Sequence, residues 1–157
     1  MGQTSQTIHA TTIVLGEAGI LIRGESGTGK SALARQLIAA AGARQLFARL
    51  VADDRSRIEQ RHGRLLARGV EAFAGLIEIR GIGLVRKEAE PAAVVRLIID
   101  LSTTSPERMP HPEDLSDDLC GVALPRLRAS AGAADLLDIV LARAACGHAP
   151  VAFMVRA

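Results

Sequence analysis

The sequence predicts a mixed α/β fold in a single domain that spans residues 1–157. Short β-branched runs alternate with helical patterns, and a glycine-rich turn joins an apolar run to a helical one. Hydrophobic residues make up 48% of the chain and aromatic residues only 2%. A chain of this length buries roughly two thirds of the surface that its unfolded form exposes, so one core is enough.

The first strands and the first helix are predicted from the N-terminal third of the chain. Residues 7–16 and 18–24 are two β-branched runs separated by a turn at Gly16, which predicts a hairpin. A helix is expected over residues 30–41, with Gly42 as its end. Its buried face is formed by Leu33, Leu37 and Ile38.

The rest of the chain predicts further strands and one more helix. Strands are expected at residues 50–52 and 94–101, with a hairpin around His62 and Gly63 between them. A polar, Pro-rich loop follows, and then an edge strand that contains Pro125, because proline lacks a backbone donor. The last element is a helix over residues 132–147, whose apolar stripe consists of Leu136, Ile139, Val140 and Ala144.

The most specific motif is the glycine-rich turn, which fits the P-loop pattern G-x-x-x-x-G-K-[ST]. Glycines let backbone N–H groups curl around a phosphate, and the helix that follows adds its positive N-terminal end. The lysine can reach the outer phosphates, and the serine hydroxyl can bind Mg²⁺. The residues predicted to bind the nucleotide are Gly24, Glu25, Ser26, Gly27, Thr28, Gly29, Lys30 and Ser31.

Two adjacent carboxylates, Asp53 and Asp54, follow the predicted strand at residues 50–52. Such a pair often does no more than cap a turn. After a phosphate loop, however, one carboxylate can orient Mg²⁺ while the other accepts a proton from an attacking hydroxyl. We therefore interpret both as residues of the site.

Three other residues are weaker candidates. Alternation along a strand would put Glu78 and Arg80 on one face, beside glycines that permit a close backbone approach. The alternative is a surface ion pair. His9 lies in an otherwise apolar strand, where a histidine is more often structural than catalytic.

Charge and hydropathy exclude several classes of protein. With 19 basic and 17 acidic residues, no basic run and almost no aromatic side chains, the chain is not expected to bind nucleic acid. No apolar run approaches the roughly 20 residues of a membrane span. The N-terminus lacks the basic start and apolar middle of a signal peptide, so we expect a cytoplasmic protein without membrane association.

The stretches GESGTGKS, LVADDR and IEIRGIG occur in this order, and together they resemble the kinase domain of HPr kinase/phosphorylase. The resemblance extends from about Ile8 to Arg108. It implies an α/β fold similar to that of phosphoenolpyruvate carboxykinase. It also implies an ATP- and Mg²⁺-dependent kinase that phosphorylates a serine of the phosphocarrier HPr, and a homo-oligomer, the hexamer of the family. Family members also remove the phosphate by phosphorolysis.

The resemblance also implies a role for individual residues. Lys30 matches the catalytic lysine, and His9 matches an active-site histidine. Asp53 matches the base of the forward reaction, which is the acid of the reverse one. The implied metal residues are Ser31 and Glu78, with Asp54 near the metal, and Arg108 in PERMP corresponds to a family arginine in a distal loop.

This sequence departs from the family pattern in three places. The chain begins at the kinase domain, as in a short form of the family. Ala32 stands where many members have glutamate, and the distal basic segment, which bears on phosphorolysis, is reduced to LPRLRASAGAAD.

Two other functions remain open from the sequence. One is a small-molecule kinase that uses the same loop. The other is a nucleotide-binding regulatory module that binds HPr-like partners without transferring a phosphoryl group.

Overall fold

The computed structural model describes residues 4–145, which form a large mixed sheet, a small hairpin and two helices. The large sheet has the strand order β1-β5-β6-β9-β3-β2-β4, with β11 also beside β9 and β10 beyond β11. Strands β7 and β8 pair separately. The bounds are β1 Ser5–Ile8, β2 Ala10–Leu15, β3 Ala18–Arg23, α1 Lys30–Ala43, β4 Ala48–Ala52, β5 Ser56–Arg61, β6 Arg64–Gly69, β7 Leu76–Ile79, β8 Gly83–Arg86, β9 Ala92–Ser102, β10 Ser116–Leu119, β11 Val122–Ser130 and α2 Leu136–Ala145.

The long strand β9 organises the sheet. It pairs parallel with β3 on one side. On the other side, its first residues pair with β6 and its last residues pair parallel with β11. Because its eleven residues are enough for both neighbours, the sheet divides along this strand and curls.

Two hydrophobic clusters lie on the two faces of this sheet. One lies under α1 and α2 and contains Ile20, Ile22, Leu33 and Leu37. The other contains Leu21 and lies under the curled strands β5, β6, β10 and β11. Successive residues of β3 thus enter opposite clusters, as expected of a central strand buried on both faces.

The strand directions bring several loops to one edge of the sheet. Strands β3, β9 and β11 are parallel, and β4 runs in the same direction because both β3 and β4 are antiparallel to β2. The carboxyl ends of β3, β4 and β9 therefore meet at one edge, which is where ligands bind in open α/β sheets. The glycine-rich loop follows β3 there, and Asp53 follows β4.

Most predicted elements occur, with some changes at their ends. The β2–β3 hairpin, α1, β9 and the hairpin at His62 and Gly63 are confirmed. The predicted strand over residues 7–16 is interrupted at His9, where the chain bends between β1 and β2. Gly42 does not end α1 but lies inside it.

Two predictions near the C-terminus are wrong. The strand that contains Pro125 is not an edge strand, because β11 pairs with β10 and with β9. Proline is tolerated there since the ladder with β9 begins only at Arg126. In α2, Leu141 is buried and Ile139 is 44% exposed, so the apolar stripe is rotated from the predicted one. The predicted helix extends to residue 147, and residues 146 and 147 lie outside the described part.

Neither helix between residues 4 and 145 combines the length and the apolar character that a membrane crossing requires.

The close approach of β3 and β9 at Gly19 predicts a large effect of a small substitution. A Cβ atom at Gly19 would lie 2.6 Å from the carbonyl oxygen of Val94, which is backbone and has little room to move. We expect Gly19→Ala to lower the free energy of unfolding by about 2 kcal/mol, the usual cost of overpacking. Urea unfolding monitored by circular dichroism measures this change in the free energy of unfolding.

Gly42→Ala is the matched control. Apart from its chain neighbours and the backbone of its own helix, no atom lies within 4 Å of the added Cβ, and the position is helical. This variant should gain about 0.5 kcal/mol from helix propensity. Equal effects of the two substitutions would contradict the packing argument.

Candidate functional site

The glycine-rich loop between β3 and α1 forms the centre of the site. Gly24, Gly27 and Gly29 have φ angles of 153°, 84° and 98°, which other residues rarely adopt. A Cβ at Gly24 would also lie 2.8 Å from the carbonyl oxygen of Leu101. Gly29 precedes α1 and supplies no side-chain cap, so the N–H groups of the first turn remain available. These features suit a bound anion.

Lys30 places its positive charge inside this loop. The side chain is buried, and Nζ donates to the carbonyl oxygens of Gly24 at 2.8 Å and Glu25 at 3.1 Å. An ammonium group has three protons, so one remains for a further acceptor. The loop carbonyls thus hold the ammonium where a phosphate in the loop would meet it.

Asp53 joins four segments of the chain at the mouth of the loop. Its Oδ1 accepts hydrogen bonds from the Ser31 hydroxyl at 2.6 Å and from the Thr11 hydroxyl at 3.0 Å. Its Oδ2 accepts one from the backbone N–H of Glu78 at 3.0 Å. The carboxylate therefore fixes the start of α1, the end of β4, strand β2 and strand β7 relative to one another.

Asp54 turns away from its neighbour. Its φ angle of 63° is left-handed, so the two adjacent carboxylates meet different partners. Its side chain contacts Nε2 of His9, and both side chains are about half exposed. Its backbone N–H donates to the Thr11 hydroxyl at 3.2 Å. The structure thus brings Asp53, and not Asp54, into contact with Ser31.

Three other predicted site residues, all within the described part of the chain, make no side-chain hydrogen bond to the glycine-rich loop or to Asp53: Glu78, Arg80 and Arg108. The backbone of Glu78 contacts Asp53, while its side chain is exposed. The prediction that Glu78 and Arg80 share a strand face is wrong, because β7 ends at Ile79 and Arg80 begins a turn. Arg108 is exposed, and its side chain makes no hydrogen bond or ion pair with another residue of the described range.

Thr11 is the residue that sequence reasoning missed. Its hydroxyl donates to Asp53 and accepts from the Asp54 N–H, so it holds both aspartates. The sequence carries no signal for this role, because threonine is also a common strand residue.

An ion cluster lies directly beside the loop. Arg23, the residue before Gly24, donates two hydrogen bonds to Asp100 on β9, at 2.7 and 2.8 Å, and one to Asp117 on β10 at 2.8 Å. Arg126 on β11 also donates to Asp100. The cluster therefore ties together the ends of the strands from which the loop departs.

The charges in this cluster shift each other's pKa values. Burial alone would raise the pKa of Asp100, but hydrogen bonds and charge attraction from Arg23 and Arg126 outweigh it and hold the pKa below its ordinary value. The hydrogen bond to Asp100 raises the pKa of Arg23 against the opposing effect of burial. Both groups therefore stay charged at neutral pH.

Oxygen atoms dominate the site and suit a hard cation. Among residues 4–145, no three His, Cys, Asp or Glu side chains form a metal cluster. Ser31 and Asp53 nevertheless place a hydroxyl and a carboxylate side by side at the loop, and Mg²⁺ prefers such ligands, used together with phosphate oxygens. The donor set therefore fits a magnesium ion that arrives with a phosphate compound.

Comparisons with known proteins point in the same direction as this geometry. Residues 3–128 match the family model described as HPr Serine kinase C-terminal domain. The chain is 30% identical over 131 residues to HPr kinase/phosphorylase of Geobacillus thermodenitrificans, an alignment that covers 76% of this chain and 40% of that protein. It is 37% identical over 78 residues to HPr kinase/phosphorylase of Clostridium beijerinckii, covering 50% and 24%. The chain thus spans less than half the length of these curated relatives.

A solved structure shares the fold. The Hpr(Ser) kinase/phosphatase from Coxiella burnetii superimposes with a TM-score of 0.69 at 30% sequence identity, over 88% of this chain and 94% of that one. The predicted mixed α/β fold and the predicted family resemblance are therefore confirmed.

The ion cluster predicts an acid-dependent loss of stability. Because the folded-state pKa of Asp100 is lowered, its carboxylate stabilises the protein at pH values above its ordinary 3.8, and this contribution is lost as the pH falls through the lower folded-state value. Asp100→Asn removes the carboxylate that Arg23 and Arg126 share, so Arg126 loses its partner and Arg23 keeps only Asp117. We expect it to lower the free energy of unfolding by about 2 kcal/mol at neutral pH.

Urea unfolding of the variant and the wild type between about pH 7 and pH 3 measures this effect. The difference between their free energies of unfolding should become smaller as the pH falls. Asp138→Asn, which breaks an exposed pair with Arg44, is the matched control and should change little. A difference between Asp100→Asn and the wild type that does not vary with pH would contradict the assignment.

Proposed function

This chain belongs to the HPr serine kinase C-terminal domain family, and we propose that it is an ATP-dependent protein serine kinase whose substrate is the phosphocarrier protein HPr. The observation that carries the proposal is the contact between Ser31 and Asp53 at the mouth of the glycine-rich loop. In this proposal the contact joins a loop that would bind phosphates, a hydroxyl that would bind Mg²⁺ and a carboxylate that would act as the base.

In this proposal the loop and the start of α1 bind the phosphates of ATP. The N–H groups of the loop and of the first helical turn donate to phosphate oxygens, and Lys30 turns its free proton toward the outer phosphates. Ser31 would hold Mg²⁺ beside its contact with Asp53. The family resemblance adds Glu78 as a second ligand and places Asp54 near the metal. The ion supplies positive charge that offsets the negative charge of the phosphates.

Asp53 would act as the base. A carboxylate offers about four acceptor positions, and three are occupied here, so one remains for the hydroxyl proton of the target serine. The serine oxygen forms a bond to the γ-phosphorus, the bond from that phosphorus to the bridging oxygen breaks, and ADP leaves. The proton moves to Asp53. By the family resemblance, His9 would support Asp53 or the phosphate, and Arg108 would belong to the catalytic residues from its place in the Pro-rich loop.

The reverse reaction would use the same groups. Inorganic phosphate would attack the phosphorus of phosphoserine, with Asp53 returning its proton to the serine oxygen and pyrophosphate as the second product. We propose phosphorolysis as a second activity of the same site. By the same family resemblance we propose that the protein is cytoplasmic and forms a homo-oligomer, the hexamer of the family. Light scattering measures the mass of this oligomer.

The proposal predicts phosphoserine on HPr. Purified protein incubated with HPr, ATP and Mg²⁺ should raise the mass of HPr by one phosphoryl group, and fragmentation should place it on a serine. A second incubation of phosphorylated HPr with inorganic phosphate tests phosphorolysis. ATP binding with no phosphoserine would favour the regulatory module, and transfer to a metabolite instead of HPr would favour the small-molecule kinase.

Asp53→Asn separates the role of the base from that of nucleotide binding. An amide cannot accept the serine proton, so we expect the rate of transfer to fall by about 10²- to 10⁴-fold, the usual contribution of a general base. The affinity for ATP, measured by calorimetry, should change by less than about threefold, because the side-chain oxygen of asparagine can still accept the hydrogen bonds from Ser31 and Thr11 that position the start of α1.

Asp138→Asn removes an exposed carboxylate on α2 and should leave transfer unchanged. Near-wild-type turnover by Asp53→Asn would show that another group is the base.

A further inference from the structure

The hairpin of β7 and β8 presents apolar side chains to solvent. Alternation directs Ile77, Ile79 and Val85 inward, where they pack in or against the cluster under α1. The opposite face should be polar, yet Leu84 is 66% exposed on it, and Ile82 in the connecting turn is 73% exposed. Adjacent exposed aliphatic side chains on an anchored hairpin are typical of an interaction surface.

This surface lies directly beside the proposed base. Leu84 is the cross-strand partner of Glu78, and the Glu78 N–H donates to Asp53 at 3.0 Å. Side chains opposite each other in an antiparallel pair start about 5 Å apart. The exposed Leu84 is therefore connected to the Asp53 carboxylate through a single residue, Glu78.

The apolar side chains are surrounded by positive charge. Arg80, Arg86 and Lys87 lie on or next to the hairpin, and none of them makes an ion pair with another residue in the range 4–145. The acidic Glu88 is engaged by Arg49 at 3.1 Å. The hairpin thus combines an apolar patch with free basic groups, which attract carboxylates.

We propose that the hairpin surface, formed by Ile82, Leu84 and Arg86, docks the folded protein substrate of the proposed kinase. The matching partner carries an apolar patch flanked by carboxylates next to its acceptor serine. This inference depends on the proposed function for the identity of the partner. A nucleotide belongs in the glycine-rich loop, and a small metabolite needs a concave pocket, so neither explains exposed aliphatic side chains on this hairpin.

The double variant Ile82→Ser/Leu84→Ser tests the docking surface, with HPr as the probe. The Kd for HPr, measured by calorimetry without ATP, and the KM for HPr should both rise at least tenfold, because apolar anchors dominate such contacts. The kcat at saturating HPr and the affinity for ATP should stay within about twofold. Ile139→Ser, the same change at an exposed position of α2, should alter none of these values.

Arg86→Gln tests the electrostatic part. The KM of the wild type should rise with added salt, and this variant should show a weaker salt dependence, as for a charge at the rim of an interface.

The outcomes separate this inference from the proposed function. If phosphoserine forms and the double variant keeps its KM, the docking surface is wrong and the kinase stands. If HPr binds through the hairpin but receives no phosphoryl group, the kinase is wrong and the docking surface stands. A change in oligomeric mass or in ATP affinity of the double variant would overturn docking in favour of a contact between copies or a structural role.

Discussion

The hydrogen bond from the Ser31 hydroxyl to the Asp53 carboxylate is the constraint on which the site depends. It closes the gap between the start of α1 and the end of β4, two segments separated by 22 positions in the chain. Both leave the same edge of the sheet because β3 and β4 run in the same direction. Without that common direction, the loop and the carboxylate would lie at opposite ends of the domain.

The long strand β9 supports this arrangement from the other side. Its Leu101 carbonyl packs against Gly24 so closely that no side chain fits there, and its Asp100 holds Arg23, the last residue before the loop. The loop is thus fixed at its first residue by packing and by charge. Its last residues are fixed by α1, whose Leu33 and Leu37 are buried against the sheet. A loop held at both ends keeps its amides directed at one point, which is what binding a phosphate requires.

The sequence was sufficient to predict the features that depend on local residue types. The glycine pattern of residues 24–31, the helix after it and the β2–β3 hairpin need particular residues at particular spacings. It was insufficient where tertiary contacts decide. The left-handed turn at Asp54 separates two carboxylates that the sequence shows as equivalent, and Thr11 contributes through a hydroxyl 42 positions from its partner Asp53. The burial of Leu141 in place of Ile139 depends on how α2 lies on the sheet, which periodicity alone does not fix.

The hairpin of β7 and β8 shows why anchoring and exposure occur together. Ile77 is fully buried, so the inner face of the hairpin is part of the core. The Glu78 N–H on the same strand fixes one oxygen of Asp53. Leu84 on the outer face is thus connected to the carboxylate by its pairing with Glu78 and by the Glu78 hydrogen bond. A surface connected in this way to the proposed base would align a bound partner with it, and alignment of the reacting groups accounts for much of the catalysis in phosphoryl transfer.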